Sequence, residues 1–209
     1  MLVLGAGGFA MQLLDTLAEL NMENNLVFFD DTMGSECRYI HGKFPVINSM
    51  DLAIDHFEGD KRFLLGTGNP SVRKMLLDKF NGIGGNVLQI ISPSLVSGKY
   101  NVNIGYGVSI LHGVVIESGV SIGDGCLINL NCTITHGSIL GNFCEIGPGA
   151  MIAGNAQIGE YSTLGAGAII LPNVKVGKHV TVAAGAVVTK DMPDNVMVAG
   201  IPANIKKSL

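Results

Sequence analysis

Large aliphatic residues recur at every sixth position from Ile104 to Val188: Ile104, Ile110, Ile116, Ile122, Ile128, Ile134, Leu140, Ile146, Ile152, Ile158, Leu164, Ile170, Val176, Val182 and Val188. A second lane, four residues further on, stays small from Val108 through Cys126, Cys132, Ser138 and Cys144 to Ala186. Glycine follows the aliphatic residue at 105, 123, 141, 147, 159, 165 and 177. An amphipathic helix repeats about every 3.6 residues and a half-buried strand about every 2, so neither explains a period of six. A short fixed period of this kind marks a β-helix of hexapeptide repeats, each one short strand and a turn. Three hexads close one triangular coil, so residues eighteen apart stack. The aliphatic residue is expected to fill the interior and the small one the corner, with glycine supplying unusual turn dihedrals.

The chain before this repeat alternates differently. Leu2–Leu4 reads as a buried strand that runs into Gly5-Ala6-Gly7-Gly8, after which Met11, Leu13, Leu14, Leu17 and Leu20 form a helical stripe. Leu26–Phe29 reads as a second strand ending in Asp30-Asp31. Val46-Ile47 is a short strand, followed by a helix over 50–57 that Ser49 caps. Phe63–Leu65 is another strand, Pro70 starts a helix over 71–80, and Val87–Ile91 is the last strand. Strands alternating with helices predict a small Rossmann-like parallel α/β domain over residues 1–92. The repeat domain is then 93–209, with the tail after Lys190 expected to cap its open end.

Charge narrows the partners. Charged residues make up 14% of the chain and the net charge is −4, so the clustered positive surface that nucleic acid requires is not expected. No apolar run approaches the roughly 18 residues of a membrane span, and the first residues lack the basic segment of a signal peptide. The expected location is the cytoplasm. Cys126, Cys132 and Cys144 fall in the small inward lane without metal-ligand spacing; they read as packing residues, with no metal expected. Cys37 reads as a residue of a polar loop.

Two stretches can carry chemistry. Strand, glycine-rich turn and helix over residues 2–20 aim backbone N–H groups at an anion. That suits the diphosphate of a nucleotide sugar. Gly5-x-Gly7-x-x-Ala10 with Asp30 also fits a dinucleotide fingerprint, and a purely structural turn is a third reading. In the repeat, His112, His136 and His179 face outward. One coil beyond His136 stands Gly154, whose bare N–H could serve as an oxyanion donor beside a histidine base. His112 and His179 have no comparable neighbour and read as surface residues, and His41 and His56 sit in the first domain without a partner motif.

These features together resemble the hexapeptide-repeat acyltransferases, and within them the nucleotide-amino-sugar N-acetyltransferases and sialic-acid O-acetyltransferases. The resemblance is carried by Gly5-Ala6-Gly7-Gly8, Phe29-Asp30-Asp31, Gly42-Lys43-Phe44-Pro45-Val46, Gly66-Thr67-Gly68-Asn69, Ser92-Pro93-Ser94, the hexads, His136, and the tail with Ala199-Gly200-Ile201-Pro202-Ala203. It implies a left-handed β-helix and a cytoplasmic homotrimer with active sites between subunits. It implies acetyl-CoA as co-substrate, His136 as general base and the Gly154 N–H on the thioester carbonyl. Ala166 and Ala184 would line the pantetheine one and two coils along, with Pro202 and Lys206 near the adenosine and its phosphates. Gly7, Gly8, Asp30 and Asp31 would hold the nucleotide, and Asn129 the sugar. Relatives often carry an acid directly after the histidine; here Gly137 stands there, so Glu145 on the substrate side, Glu117 or a backbone carbonyl must orient the ring. The first-domain loop has Phe9 where many relatives have histidine. The function implied is N-acetylation of a nucleotide-linked 4-amino-dideoxy sugar for bacterial surface glycans, by direct transfer without an acyl-enzyme. Sugar O-acetylation and a non-catalytic nucleotide-binding scaffold are the alternatives.

Overall fold

The computed structural model describes residues 1–32 and 38–209; Cys37 lies outside the described residues. The chain divides into two compact units, Met1–Ile90 and Ile91–Leu209.

The first unit runs β1 (Leu2–Leu4), α1 (Gly8–Glu19), β2 (Val27–Phe29), β3 (Arg38–Ile40), β4 (Phe44–Ile47), α2 (Met50–Gly59), β5 (Arg62–Leu65), α3 (Pro70–Gly82) and β6 (Asn86–Val87). The sheet order is β3-β4-β2-β1-β5-β6. The central strand β1 is buried along its whole length, as its unbroken Leu-Val-Leu requires. Helix starts follow local chemistry: Ser49 Oγ accepts the Leu52 N–H at 3.4 Å, and Asn69 Oδ1 accepts the Val72 N–H at 3.1 Å just before Pro70. Phe29, Phe57 and Phe63 all pack on Phe80, with Phe29 and Phe80 edge to face at 4.9 Å. Two strand expectations need correction. The sheet is not wholly parallel, because β3 pairs antiparallel with β4 across the His41-Gly42 turn. The expected strand Val87–Ile91 is two strands serving two sheets: β6 pairs with β5, and Ile90–Ile91 belongs to a face of the β-helix.

The second unit is a parallel β-helix of two-residue strands. They stack into three faces of six, six and five such strands, in central registers eighteen residues apart, and two longer tail strands extend the first into an eight-stranded face. Both lanes point inward and form one continuous core from Val108 to Val188. Beyond it, Val196–Ala199 pairs parallel with Thr181–Val182, and Asn204–Ser208 folds back antiparallel on that strand. Met192, Val196, Val198 and Ala203 extend the core into this tail.

The glycines after the aliphatic residues serve a different purpose from the one expected. None at 141, 147 or 165 has a positive φ. A Cβ there would come within 2.6 Å of Glu160 N, 2.6 Å of Leu164 O and 2.5 Å of Ala184 N respectively. They are glycine because successive coils touch there. The left-handed turn position lies two residues later. It is held by glycine at 113, 137 and 149, by Asn131, Asn155 and Asn173, and by Phe143, Tyr161 and His179.

Candidate active site

Strands Thr133–Ile134 and Met151–Ile152 are neighbours on the six-stranded face, and the chain turns a corner directly after each. His136 and Gly154 therefore share one edge of the prism on adjacent coils. The Asn155 N–H donates to His136 O at 2.9 Å, locking the two turns together. The imidazole lies against the bare Cα of Gly154: a Cβ built there would be 2.6 Å from His136 Cε1 and 2.7 Å from Nε2. Gly154 is needed for space, since its φ is ordinary. The ring itself is exposed, while Gly154 is buried beneath it. The Gly154 N–H makes no hydrogen bond among the described residues, which buried backbone donors rarely tolerate without a partner. A ring able to take a proton thus stands beside an uncommitted donor, the pair that acyl transfer requires. On the other side of the ring's peptide, Glu117 Oε2 accepts the His136 N–H at 2.8 Å.

The other expected residues of the β-helix gather on the edge that follows the eight-stranded face. Ala166 and Ala184 stand there, exposed, one coil apart. They do not continue the His136–Gly154 edge, because 154 to 166 is twelve residues, two-thirds of a coil. Asn129 begins the same edge, 7% exposed, its Oδ1 accepting the Leu130 N–H at 2.8 Å. Glu145 stacks between Leu127 and Thr163 on the eight-stranded face. That is a different face from the one that leads into His136, whose backbone N–H bonds Glu117. Pro202 follows the strand Val196–Ala199 and Lys206 lies in Asn204–Ser208, both exposed.

In the first unit Gly7 is the N-cap of α1, and a Cβ on Gly7 or Gly8 would meet nothing within 4 Å. Gly5 has φ +116, and its Cα is crossed by Gly66 O at 2.7 Å from a built Cβ, so no other residue fits there. A pocket is lined by Gly5, Phe29, Asp30, Asp31, Thr32, Thr67, Val72, Met75 and Leu76. Asp30 Oδ2 accepts the Ala6 N–H at 3.0 Å, and Oδ1 accepts Thr32 Oγ1 at 2.6 Å. The acid of the dinucleotide fingerprint is thereby tied into its own loop. Asp31 pairs with Lys79 at 3.0 Å.

Among the described residues the cysteines offer no nucleophile: Cys126, Cys132 and Cys144 are buried, and burial pushes the Cys132 thiol up to about 11. Among the described residues no group of three His, Cys, Asp or Glu is placed to hold a metal ion, and no helix is long and apolar enough to cross a membrane.

Comparison with known proteins agrees with this geometry. Residues 1–80 match the PglD N-terminal domain, residues 119–153 the hexapeptide repeat of succinyl-transferase, and residues 137–171 and 155–190 the bacterial transferase hexapeptide (six repeats). No curated protein matches the sequence. Among solved structures, a mutant of perosamine N-acetyltransferase from Caulobacter crescentus, in complex with CoA and GDP-perosamine, is 31% identical. It aligns with a TM-score of 0.89 over 99% of this chain and 96% of that one. The acetyltransferase domain of PglB from Neisseria gonorrhoeae, in complex with acetyl coenzyme A, is also 31% identical, with a TM-score of 0.86 over 100% and 98%. The chain belongs to the hexapeptide-repeat acetyltransferases. WeeI from Acinetobacter baumannii, 25% identical with a TM-score of 0.81 over 98% of both chains, shares the architecture.

The homologous structures hold CoA or acetyl coenzyme A as co-substrate. The edge with Ala166 and Ala184 is open: nothing lies within 4 Å of a Cβ built on Gly149, Gly167 or Gly185 along it. Sequence reading missed Arg73, which is 1% exposed in the acetyltransferase's first unit. Its guanidinium donates to the carbonyls of Thr67 and Gly68, holding the loop that lines the pocket. Its signal was a charge at helical spacing from the buried Leu76, Leu77 and Phe80. His179 is exposed, as the sequence suggested, and stacks on Tyr161 with ring centroids 4.9 Å apart and planes 1° apart.

Proposed function

We propose that this acetyltransferase N-acetylates a nucleotide-linked amino sugar of the 4-amino-dideoxy class, as a step in building bacterial surface glycans. The amine nitrogen attacks the thioester carbonyl carbon of acetyl-CoA. His136 takes the proton released by the amine, and the Gly154 N–H stabilises the oxyanion as it forms. The carbon–sulfur bond then breaks, coenzyme A leaves with a proton, and no acyl-enzyme forms. The observation that carries this reading is the imidazole lying on Gly154 with that residue's N–H uncommitted. The relative from C. crescentus, in complex with CoA and GDP-perosamine, supports the substrate class. In the first unit, the open N-terminus of α1 at Gly7 and Gly8 suits the diphosphate, and the pocket at Asp30 and Asp31 suits the nucleoside.

The reading includes a homotrimer. The outer surface of the six-stranded face carries Val96, Val115, Thr133, Met151, Ile169 and Val187, with Val96 62% and Met151 45% exposed. That is apolar surface a soluble monomer rarely leaves open. His136 and Gly154 border this face on one edge, Ala166 and Ala184 on the other. Three copies with this face toward a common axis bring one edge of each against the other edge of the next. Base and pantetheine track, separate within one chain, then meet between chains.

The test is thiol release from acetyl-CoA against a panel of nucleotide 4-amino sugars and sialic acids, the latter to detect O-acetylation. General-base catalysis typically contributes ~10² to 10⁴ in rate, so His136→Ala should lower kcat by at least ~10²-fold with the oligomer intact by sedimentation. Wild-type turnover in that variant removes His136 from the mechanism.

A further inference from the structure

Every corner of the β-helix presents an outward backbone amide two residues after the inward aliphatic one. On the edge after the five-stranded face, a side chain from one coil further on accepts it at three positions. Tyr106 N–H donates to Asp124 Oδ1 at 3.1 Å, Asp124 N–H to Asn142 Oδ1 at 2.9 Å, and Lys178 N–H to Asp194 Oδ1 at 2.8 Å. His136 holds the equivalent position on its own edge, and its counterpart one coil further on is Gly154. Glycine has no side chain with which to accept. It cannot be exchanged for Asn or Asp, because the imidazole occupies the space. The acceptor comes instead from the coil before: Glu117 Oε2 takes the His136 N–H at 2.8 Å.

The next residue in the chain supplies no carboxylate. Gly137 has φ +68, where a side chain is strained, and a Cβ there would fall on Asn155 Oδ1. The His136 peptide is thus pinned at both ends, its N–H by Glu117 and its carbonyl by the Asn155 N–H, with the ring resting on Gly154.

We propose that Glu117 is the positioning residue of the active site. Its carboxylate fixes the His136 peptide so that the ring stays over Gly154. The charge-assisted bond is stronger than a bond to an amide, and it reaches His136 from the coil before, opposite to Gly154 on the coil after. The inference rests on His136 acting as the base.

The experiment compares Glu117→Ala, Glu117→Gln and His136→Ala by steady-state thiol release and thermal melting. A displaced catalytic group can cost up to ~10²-fold, so Glu117→Ala should lower kcat by about tenfold or more, with KM for acetyl-CoA unchanged. Glu117 is exposed, so the melting temperature should move by no more than about 2–4 °C, the equivalent of roughly 1 kcal/mol in a chain of this size. The amide oxygen of glutamine accepts the same N–H, so Glu117→Gln should stay within about threefold of wild type. Wild-type kcat in Glu117→Ala, or a glutamine variant as impaired as the alanine one, overturns the inference while an inactive His136→Ala leaves the general-base reading standing. An active His136→Ala overturns both.

Discussion

The edge carrying Phe143, Tyr161 and His179 and the edge carrying His136 and Gly154 follow the same eighteen-residue period, and both lay a ring on a glycine. Phe143 covers Gly125 on the coil before it, where a Cβ would be 2.6 Å from Phe143 Cδ1; His136 covers Gly154 on the coil after it. The difference lies in what comes next. Above Phe143 stands Tyr161, stacked at 5.5 Å and 10°, and above that His179. The ladder closes its edge, and Phe143 is 3% exposed. The coils that flank His136 carry no ring at this edge, so the imidazole stays exposed. One period can therefore build a sealed edge or an open one, and the choice rests on one side chain per coil.

Substitutions on the two edges should separate stability from turnover. Replacing a buried phenylalanine by alanine typically costs about 3–5 kcal/mol. Phe143→Ala should lose stability near the low end of that range in denaturant unfolding, while kcat of the folded protein stays at wild type. A kcat loss comparable to that of His136→Ala would show that the two edges are coupled. On the open edge, Gly154→Ala adds one methyl 2.6 Å from the ring, which forces the imidazole aside. Misplacement of this kind can cost ~10²-fold in rate, or roughly 2.7 kcal/mol of barrier. The melting temperature should hardly move, since the exposed ring can yield. A variant that melts much lower but turns over normally would assign Gly154 to packing alone.

How far this was legible in the sequence depends on which unit is considered. In the second unit the six-residue period names the interior residues one by one, because each coil repeats the same contacts. His136 and Gly154 follow from adding eighteen. The same arithmetic corrects one expectation: Ala166 is twelve positions from Gly154 and so stands on another edge, not one coil along. Glu117 was one of several candidates to orient the ring. Its hydrogen bond spans nineteen residues, one off the stacking period, so it is set by side-chain reach and not by the repeat. The first unit has no such ruler. Its helix starts at Ser49 and Pro70 were readable from local chemistry. The antiparallel β3 was not, since Arg38-Tyr39-Ile40 is too short for its alternation to stand out and pairs only through tertiary contact.

The smallest effect expected is at Tyr161, and it bears on why aromatic rings occupy left-handed turn positions at all. Tyr161 has φ +59, a conformation that costs an L-residue about 1–2 kcal/mol and that Asn adopts more easily. Tyr161→Asn relieves that strain but removes two ring contacts, each worth about 0.5–1.5 kcal/mol. The two changes largely cancel, so a net loss of about 1 kcal/mol is expected, seen as a fall of roughly 2–4 °C in Tm. Turnover should be unchanged, because the ladder and His136 stand on different edges. A loss as large as that of Phe143→Ala would mean that the stack, and not the burial of Phe143 over Gly125, holds the sealed edge. A gain in stability would mean that the strain exceeds the stacking, leaving the rings to be explained by something that the stability of the isolated chain does not record.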